Sequence, residues 1–400
     1  MLKFRPSTIF FMTTGKSVMP ICSKQILGLL ACMFCVLPVS SQTKKTAREQ
    51  GITIGVMKPG KWNAITDVPG VLVGHTTIVR GDSIRTGATA IIPYAGNIFQ
   101  QKVPAAIYVG NGFGKLTGIS QVAELGTLEV PVVLTNTLGV AAAMEAVVDH
   151  TIRQAGNSNV QSVNAVIGET NDSWLNDIRG RHVTKEDVLR AISGAKTGPV
   201  NQGNIGAGTG TVCFGFKGGI GTSSRKLPAN LGGYTIGVIV QTNFGGVLEI
   251  AGVPVGKDLG KFSFSDQLLN NVDGSCMIVV ATDAPITARN LQRLAKRAFM
   301  GLAKTGGIAS NGSGDYVIAF STNDSLRIPH STNNPLLIQP ELHNEFITPL
   351  FMATIEATEE AIINSLFSAE RMKGFKGHEV EPLPLDLVLP IMKKYNRIKN

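Results

Sequence analysis

The sequence of 400 residues offers little from which a disulfide framework or a metal site could be built. It contains five cysteines, and three of them (Cys22, Cys32 and Cys35) lie within the first forty residues. The two others, Cys213 and Cys276, are too few for the disulfide scaffold of a small secreted domain. The six histidines are scattered and lack the spacing of zinc ligands. We therefore expect chemistry that needs no metal, no cofactor and no histidine.

Acidic residues are absent from the N-terminal leader, and this inflates the net charge. The formal charge is +9, but Lys3, Arg5, Lys16 and Lys24 lie in the leader, and without them the charge is +5. The other basic residues form no concentrated patch in the sequence, and aromatic residues make up only 6% of the chain. Basic and aromatic residues are not interleaved, as they are in many nucleic-acid-binding proteins. A nucleic-acid partner is therefore not expected.

Residues 1–41 are expected to be a signal peptide rather than part of the fold. Lys24 precedes the apolar run 26–37, which has the length of a signal-peptide core and is too short to span a bilayer. Small residues at 38–41 provide a cleavage site before Gln42. Lipidation at Cys32 ranks second because apolar residues continue after it, and a buried N-terminal helix is the other alternative. We expect a periplasmic or secreted protein without a stable membrane span.

Strand and helix patterns alternate along the rest of the chain, with no linker between its two halves. Apolar runs predict buried strands at residues 132–134, 163–167, 234–241, 275–281 and 316–320. Weaker patterns predict edge or hairpin strands at residues 53–56 and 70–75. Helices are predicted from Asn136 to Gly156, after Thr184, from Thr282 or Asp283 to Gly306, and at 351–366. This alternation predicts one layered α/β domain.

The most informative stretch is 271–283, where a polar loop ends in Gly-Ser and an apolar β-branched run follows. Gly274 has no Cβ, so the backbone can adopt the strained form in which the Oγ of Ser275 attacks the Gly274 carbonyl. Hydrolysis of the resulting ester would leave Ser275 with a free α-amine beside its own hydroxyl, which is a known catalytic unit. The junction therefore predicts self-cleavage into fragments 42–274 and 275–400, although Gly-Ser before a strand is more often a simple turn.

Eight motifs between residues 65 and 315 decide in favour of self-cleavage. They lie at residues 65–70, 110–115, 134–137, 168–172, 206–211, 241–245, 274–275 and 310–315. In this order they resemble the family of self-processing serine aminopeptidases that includes the D-aminopeptidase/esterase DmpA and the β-peptidyl aminopeptidases. The resemblance implies a four-layer αββα sandwich formed by both fragments and cleavage of peptides, amides or esters with a free amino group. It also implies a homo-oligomer of processed units, with a tetramer expected.

The resemblance assigns roles to residues whose local chemistry leaves alternatives open. Ser275 would be the nucleophile, and Ser313 and Asp315 would orient it or relay its proton, although Ser-Gly-Asp is also ordinary turn chemistry. Asn243 would donate a hydrogen bond to the oxyanion, or would simply start an Asx-turn. Glu169 would hold the ammonium group of the substrate, or would be a solvated carboxylate at the end of a strand.

Two further positions belong to the expected substrate site. Asn136 is assigned to substrate binding and can also cap the helix that follows it. Asn171 stands where some members of the family have a tyrosine that assists the oxyanion, so this assistance and the substrate preference are open here. The glycine-rich stretch 203–221 lacks the Gly-Lys-Ser/Thr ending of a phosphate loop, so nucleotide binding is not expected.

Two other functions compete with the aminopeptidase hypothesis. An acyltransferase similar to the ornithine acetyltransferases would share the sandwich and the processed nucleophile, but in those cytosolic enzymes the nucleophile is a threonine. A non-catalytic binding protein on the same scaffold would be expected to lack one of the site residues, and all of them are present. The favoured hypothesis is an exported serine aminopeptidase that acts through an acyl-enzyme on Ser275.

Overall fold

The computed structural model describes residues 45–265 and 274–398. The predicted signal peptide, residues 1–41, lies outside these residues. Within the described ranges, no helix has both the length and the apolar character needed to cross a membrane. The same ranges contain no group of three or more His, Cys, Asp or Glu side chains that could hold a metal ion.

Fifteen strands and seven α-helices are found in the described part of the chain. The strands are β1 (Leu72–Arg80), β2 (Ile84–Ile92), β3 (Gln101–Gly112), β4 (Thr127–Leu128), β5 (Val132–Asn136), β6 (Val166–Thr170), β7 (Val212–Cys213), β8 (Phe216–Lys217), β9 (Ile220–Lys226), β10 (Thr235–Asn243), β11 (Ser275–Thr282), β12 (Gly314–Ser321), β13 (Ile328–Pro329), β14 (Met372–Lys373) and β15 (Glu379–Val380). The helices are α1 (Ile119–Leu125), α2 (Val140–Ile152), α3 (Lys185–Ser193), α4 (Val255–Asp258), α5 (Ala288–Lys304), α6 (Thr348–Phe367) and α7 (Leu385–Lys394).

Two sheets form the inner layers of the fold. The smaller sheet has the order β1-β2-β5-β6, and only its β5–β6 pair is parallel. The larger sheet has the order β13-β3-β12-β11-β10-β9, with β4 paired to β3. Its β11–β12 pair is parallel, and the register places Ser275 opposite Gly314. On the other side of β11, Ser275 lies opposite Asn243 of β10.

Helices cover the outer face of each sheet. Helices α2 and α3 pack on the smaller sheet, and α5 and α6 pack on the larger one. Strand β11 is apolar throughout because both of its faces are buried: Met277 and Val279 belong to the core between the sheets, whereas Ile278 and Val280 belong to the core under the helices. These layers form the predicted αββα sandwich.

Several predicted boundaries are confirmed and three are wrong. Asn136 caps the helical segment that leads into α2, and Thr184 forms a capping box with Asp187 at α3. Residues 53–56 form no strand, and α2 ends at Ile152 rather than at Gly156. The helix after β11 begins at Ala288, because Thr282 and Asp283 bind Thr235 instead of capping it.

Candidate active site

Ser275 begins β11 on the face that is turned toward the smaller sheet, since strand residues alternate and Met277 packs between the sheets. It is 6% exposed and borders a cavity of about 850 Å³. Its Oγ donates a hydrogen bond to the carbonyl oxygen of Gly274 (2.6 Å) and accepts one from the N–H of Gly314 (3.3 Å). The hydroxyl therefore lies against the carbonyl of the peptide bond that it is predicted to attack.

The glycine before the nucleophile is required by close packing. A Cβ at Gly274 would lie 2.7 Å from the Cα of Phe244 and 2.9 Å from the carbonyl oxygen of Asn243. A Cβ at Gly314 would lie 2.5 Å from the Cα of Gly114. The N–H of Gly314 also donates to the carbonyl oxygen of Gly274 (3.1 Å). Small residues thus let a backbone donor and the Ser275 hydroxyl approach the same carbonyl.

Asp315 and Ser313 lie beside this junction but form no hydrogen bond with the Oγ of Ser275. Asp315 pairs in register with Cys276, on the opposite face of the sheet from the Ser275 side chain. Burial raises the pKa of Asp315 to about 6, partly offset by the Ser313 hydroxyl and the N–H of Cys276. Within the described chain, one carboxylate oxygen of Asp315 and the hydroxyl of Ser313 lack a hydrogen-bond partner of ordinary geometry. The two groups therefore flank Gly314, the residue opposite Ser275, and the Asp315 carboxylate is bound to the N–H of the residue that follows Ser275.

Asn243 ends β10 directly beside Ser275 and borders the cavity. Its Oδ1 accepts a hydrogen bond from the N–H of Val212 (3.0 Å), which fixes the orientation of the carboxamide. The Asx-turn considered as an alternative is not formed. Among the described residues, Nδ2 has no acceptor, so this N–H group is left to bind a ligand in the cavity.

A buried lysine that the sequence analysis missed organises the loop that holds Asn243. Lys217 is fully buried, and its Nζ donates to the carbonyl oxygens of Gly208 (3.0 Å), Thr211 (2.9 Å) and Gly218 (2.8 Å). Thr211 precedes Val212, whose N–H binds the Asn243 carboxamide. The glycine-rich stretch thus wraps around an internal ammonium group. The only feature of the sequence that could have indicated this role is the position of Lys217 within a glycine-rich stretch.

Glu169 is the second-last residue of β6 in the smaller sheet and borders the same cavity as Ser275. It is only 2% exposed, so it is not the solvated carboxylate of the alternative interpretation. Its Oε1 accepts a hydrogen bond from the N–H of Lys115 (2.8 Å), and its Oε2 accepts one from the hydroxyl of Thr137. No basic side chain of the described residues forms an ion pair with it, so its charge is free to bind a cation.

The two asparagines assigned to the substrate site occupy different positions. The position of Asn136 does not support substrate contact: it is 1% exposed, accepts from the N–H of Gly139 (2.7 Å) and donates to Thr86 (2.7 Å). Its capping role uses up its amide, and the next residue, Thr137, borders the cavity instead. Asn171 does border the cavity, and its Oδ1 accepts from the N–H of Ser173 (2.9 Å).

Aromatic side chains, which the sequence analysis did not assign to the site, form much of the remaining cavity wall. Phe214 has a φ of +52°, an unusual conformation for a bulky residue, and packs edge-on against Phe244 at 5.1 Å between ring centroids. A strained backbone of the kind seen at Phe214 is common at binding sites. Trp174 stacks on His378, with the ring centroids 3.8 Å apart. Their scattered positions in the sequence gave no pattern from which this wall could be found.

Comparisons with known proteins agree with this geometry. Residues 63–380 match Peptidase family S58. The beta-peptidyl aminopeptidase BapA of Sphingosinicella microcystinivorans is 40% identical over 377 residues, which cover 88% of this chain and 93% of the relative.

Solved structures give the same result. The PH0078 protein from Pyrococcus horikoshii OT3 is 46% identical with a TM-score of 0.82, and the match covers 88% of this chain and all (100%) of the other. The L-aminopeptidase D-Ala-esterase/amidase from Ochrobactrum anthropi, described as a variant of the Ntn hydrolase fold, is 36% identical with a TM-score of 0.81 and coverages of 88% and 99%. The chain therefore belongs to Peptidase family S58.

Proposed function

We propose that this protein is a self-processing serine aminopeptidase that removes the N-terminal residue from peptides, amides or esters with a free amino group. The observation that carries the proposal is the contact of the Ser275 hydroxyl with the Gly274 carbonyl, in a cavity that Glu169 also borders. The names of the relatives from Sphingosinicella and Ochrobactrum support an aminopeptidase. No observation favours the acyltransferase or the binding protein.

Self-cleavage would start from the geometry of the uncut chain. The Oγ of Ser275 attacks the carbonyl carbon of Gly274, and the N–H of Gly314 stabilises the negative charge that develops on the carbonyl oxygen. The C–N bond then breaks, and the nitrogen of Ser275 takes up the proton that the hydroxyl has lost. Water hydrolyses the resulting ester, which leaves a carboxylate on Gly274 and a free amine on Ser275.

Substrate cleavage would use the same hydroxyl in a second round. The free amine of Ser275 accepts the proton of Oγ as the latter attacks the substrate carbonyl, and the proton passes to the leaving amine. Asn243 Nδ2 and the N–H of Gly314 would bind the oxyanion; the fixed orientation of the Asn243 carboxamide and the contact of Gly314 with Ser275 support this assignment. Ser313 and Asp315, which flank the residue opposite Ser275 in the sheet, would orient that amine and stabilise its protonated form. Water then releases the acyl group from Ser275.

Glu169 would supply the requirement for a free amino group. A carboxylate without a basic partner, buried at the cavity wall, gains most from a bound ammonium group because burial weakens competition from water. Lys115 and Thr137 hold the carboxylate in place through single hydrogen bonds and leave further acceptor positions open.

The function is tested by comparing free and N-acetylated alanine p-nitroanilide. The processed protein is expected to release p-nitroaniline only from the free amine, and Glu169→Gln is expected to lower kcat/KM about tenfold or more, because a charge-assisted hydrogen bond is lost. Self-cleavage should be largely spared, since the precursor bond has no free amine to bind. Equal turnover of the acetylated substrate, unchanged kinetics in Glu169→Gln, or acetylation of an amino acid in place of hydrolysis would contradict the assignment.

We also propose that residues 1–41 direct export and that processed units assemble into an oligomer, with a tetramer as the expected state. The acid-free leader with its apolar run supports the first part. Protein recovered from the periplasm or medium of a host expressing the full chain should begin at Gln42, and light scattering should give the mass of four processed units. An uncut N-terminus in the cytosol would refute export, and the mass of one unit would refute assembly.

A further inference from the structure

A lysine on the cavity wall has no role in the chemistry described above. Lys261 borders the cavity, and its Nζ lies 4.1 Å from the centroid of the Phe216 ring. A Cβ at Gly215 would come within 2.9 Å of the Cε of Lys261, so the glycine makes room for the lysine stem. Lys261 is exposed, but its contact with Phe216 places the ammonium group at the cavity wall, where it is open to solvent and to a ligand in the cavity.

The positive charge of Lys261 is poorly compensated. It forms no ion pair within the described part of the chain, and the two carboxylates that also border the cavity, Glu379 and Glu381, are paired with Arg371 at 2.5 and 2.9 Å. Partial burial lowers the pKa of Lys261, and only the more distant charge of Glu381 opposes this effect. An anion that enters the cavity would therefore meet an ammonium group that has no competing partner.

The segment that contacts Lys261 lies on the β10 side of the nucleophile. Gly215 follows Phe214, whose N–H donates to the carbonyl of Phe244 (2.7 Å) directly after β10. Phe244 in turn packs against Gly274, the residue before the nucleophile. A continuous set of contacts thus leads from Ser275 to Lys261 across this edge of the sheet.

Glu169 lies on the other side of the nucleophile. It accepts a hydrogen bond from the N–H of Lys115, which follows β3. The adjoining Gly114 packs closely against Gly314 of β12, since a Cβ at Gly114 would lie 3.0 Å from the Cα of Gly314. Because β12 and β3 flank β11 on one side and β10 and β9 flank it on the other, Ser275 stands between the negative and the positive group. The negative and the positive group therefore border the cavity on opposite sides of the nucleophile.

We propose that Lys261 binds the C-terminal carboxylate of the leaving group, so that the preferred substrates are very short peptides, dipeptides above all, with both ends free. The inference rests on the proposed aminopeptidase activity. If the amino group of a dipeptide binds Glu169 and its carbonyl lies at Ser275, the carboxylate of the second residue extends toward the β10 side. Lys115, the other lysine that borders the cavity, lies on the amine side, because its N–H binds Glu169.

The test uses two substrates that differ only in the charge of the leaving group, alanyl-alanine and alanyl-alanine amide, together with the corresponding β-alanyl pair. The wild-type protein is expected to have a kcat/KM for the acid at least tenfold above that for the amide. Lys261→Met keeps an apolar stem but removes the charge, and should lower this acid-to-amide ratio about tenfold. Lys261→Glu should bring the ratio below one, since like charges repel.

Matched variants and one further substrate, alanine p-nitroanilide, separate the possible outcomes. Lys257→Met removes an exposed lysine outside the cavity and should keep the wild-type ratio. A ratio that is unchanged in Lys261→Met, or that responds to Lys115→Met instead, would overturn the assignment of Lys261. If neither the dipeptides nor alanine p-nitroanilide is cleaved, the aminopeptidase function itself fails. Cleavage of alanine p-nitroanilide and of the dipeptides, with equal rates for the acids and the amides, refutes only the carboxylate site.

Discussion

Replacing Ser275 by alanine is expected to leave a single uncut chain without measurable aminopeptidase activity. The hydroxyl that contacts the Gly274 carbonyl at 2.6 Å is then absent, and no other described side chain hydrogen-bonds to that carbonyl oxygen. A denaturing gel should show one band for Ser275→Ala and two for the wild type. Sequencing of the smaller wild-type fragment should begin with Ser-Cys-Met.

Two further variants test whether this cleavage is intramolecular. Ser275→Cys should still be cut, more slowly, because a thiol can make the same attack. Gly274→Ala should block processing although the nucleophile is retained, since its Cβ would collide with the backbone of Phe244. Cleavage of Ser275→Ala at the same bond would show that another protease is responsible, and the self-processing mechanism would have to be abandoned.

Asp315→Asn is expected to lower kcat by a factor of about 10² to 10⁴, the usual range for lost assistance to proton transfer. The carboxylate is bound to the N–H of Cys276, next to Ser275, and among the described residues one of its oxygens has no partner, so we expect it to bind the amine that cleavage creates. Ser313→Ala should have a similar effect. The double variant should be little worse than the more severe single one, because groups that act as one unit are not additive.

The pH profile assigns this effect to Asp315. Its pKa of about 6 means that the carboxylate is charged above this pH, so activity should rise as the pH passes through 6, and Asp315→Asn should lack this limb. Asp172 is a matched control: burial raises its pKa to about 6 as well, but it lies outside the cavity, bound to Asn176.

The Asp172→Asn variant should therefore keep the rise in activity near pH 6. A limb near pH 8, in the ordinary range of an α-amine, would identify the amine of Ser275 as the titrating group. A near-normal kcat in a correctly processed Ser313→Ala protein would show that the Ser-Gly-Asp segment is an ordinary turn without a catalytic role.

The periodicity of the sequence predicted the layers well, because strands such as β11 are apolar on both faces and can only lie inside a sandwich. It could not predict which polar residues meet. The approach of Asn243, Ser275 and Gly314 depends on strand register, which local sequence does not encode. The position of Asn136 under the cavity wall, with Thr137 at the cavity, depends on how the helix cap is oriented.

The lysines show a second limit of sequence reasoning. A lysine in a sequence is normally taken as solvated, and Lys217 and Lys261 carry no motif that marks them as anything else. Only the structure shows that one holds three carbonyl groups in the interior and that the other rests on Phe216 at the cavity. The role of each follows from its packing, which no local pattern reports.

The order of strands in the larger sheet has a consequence for the life of the mature enzyme. Strands β13, β12 and β11 would belong to fragment 275–400, whereas β3, β10 and β9 would belong to fragment 42–274, and β3 lies between β13 and β12. The two chains would thus be interleaved within one hydrogen-bonded sheet and could not separate without unfolding. Once denatured, they would have to find each other again as two molecules, so heat inactivation should be irreversible and governed by the rate of unfolding.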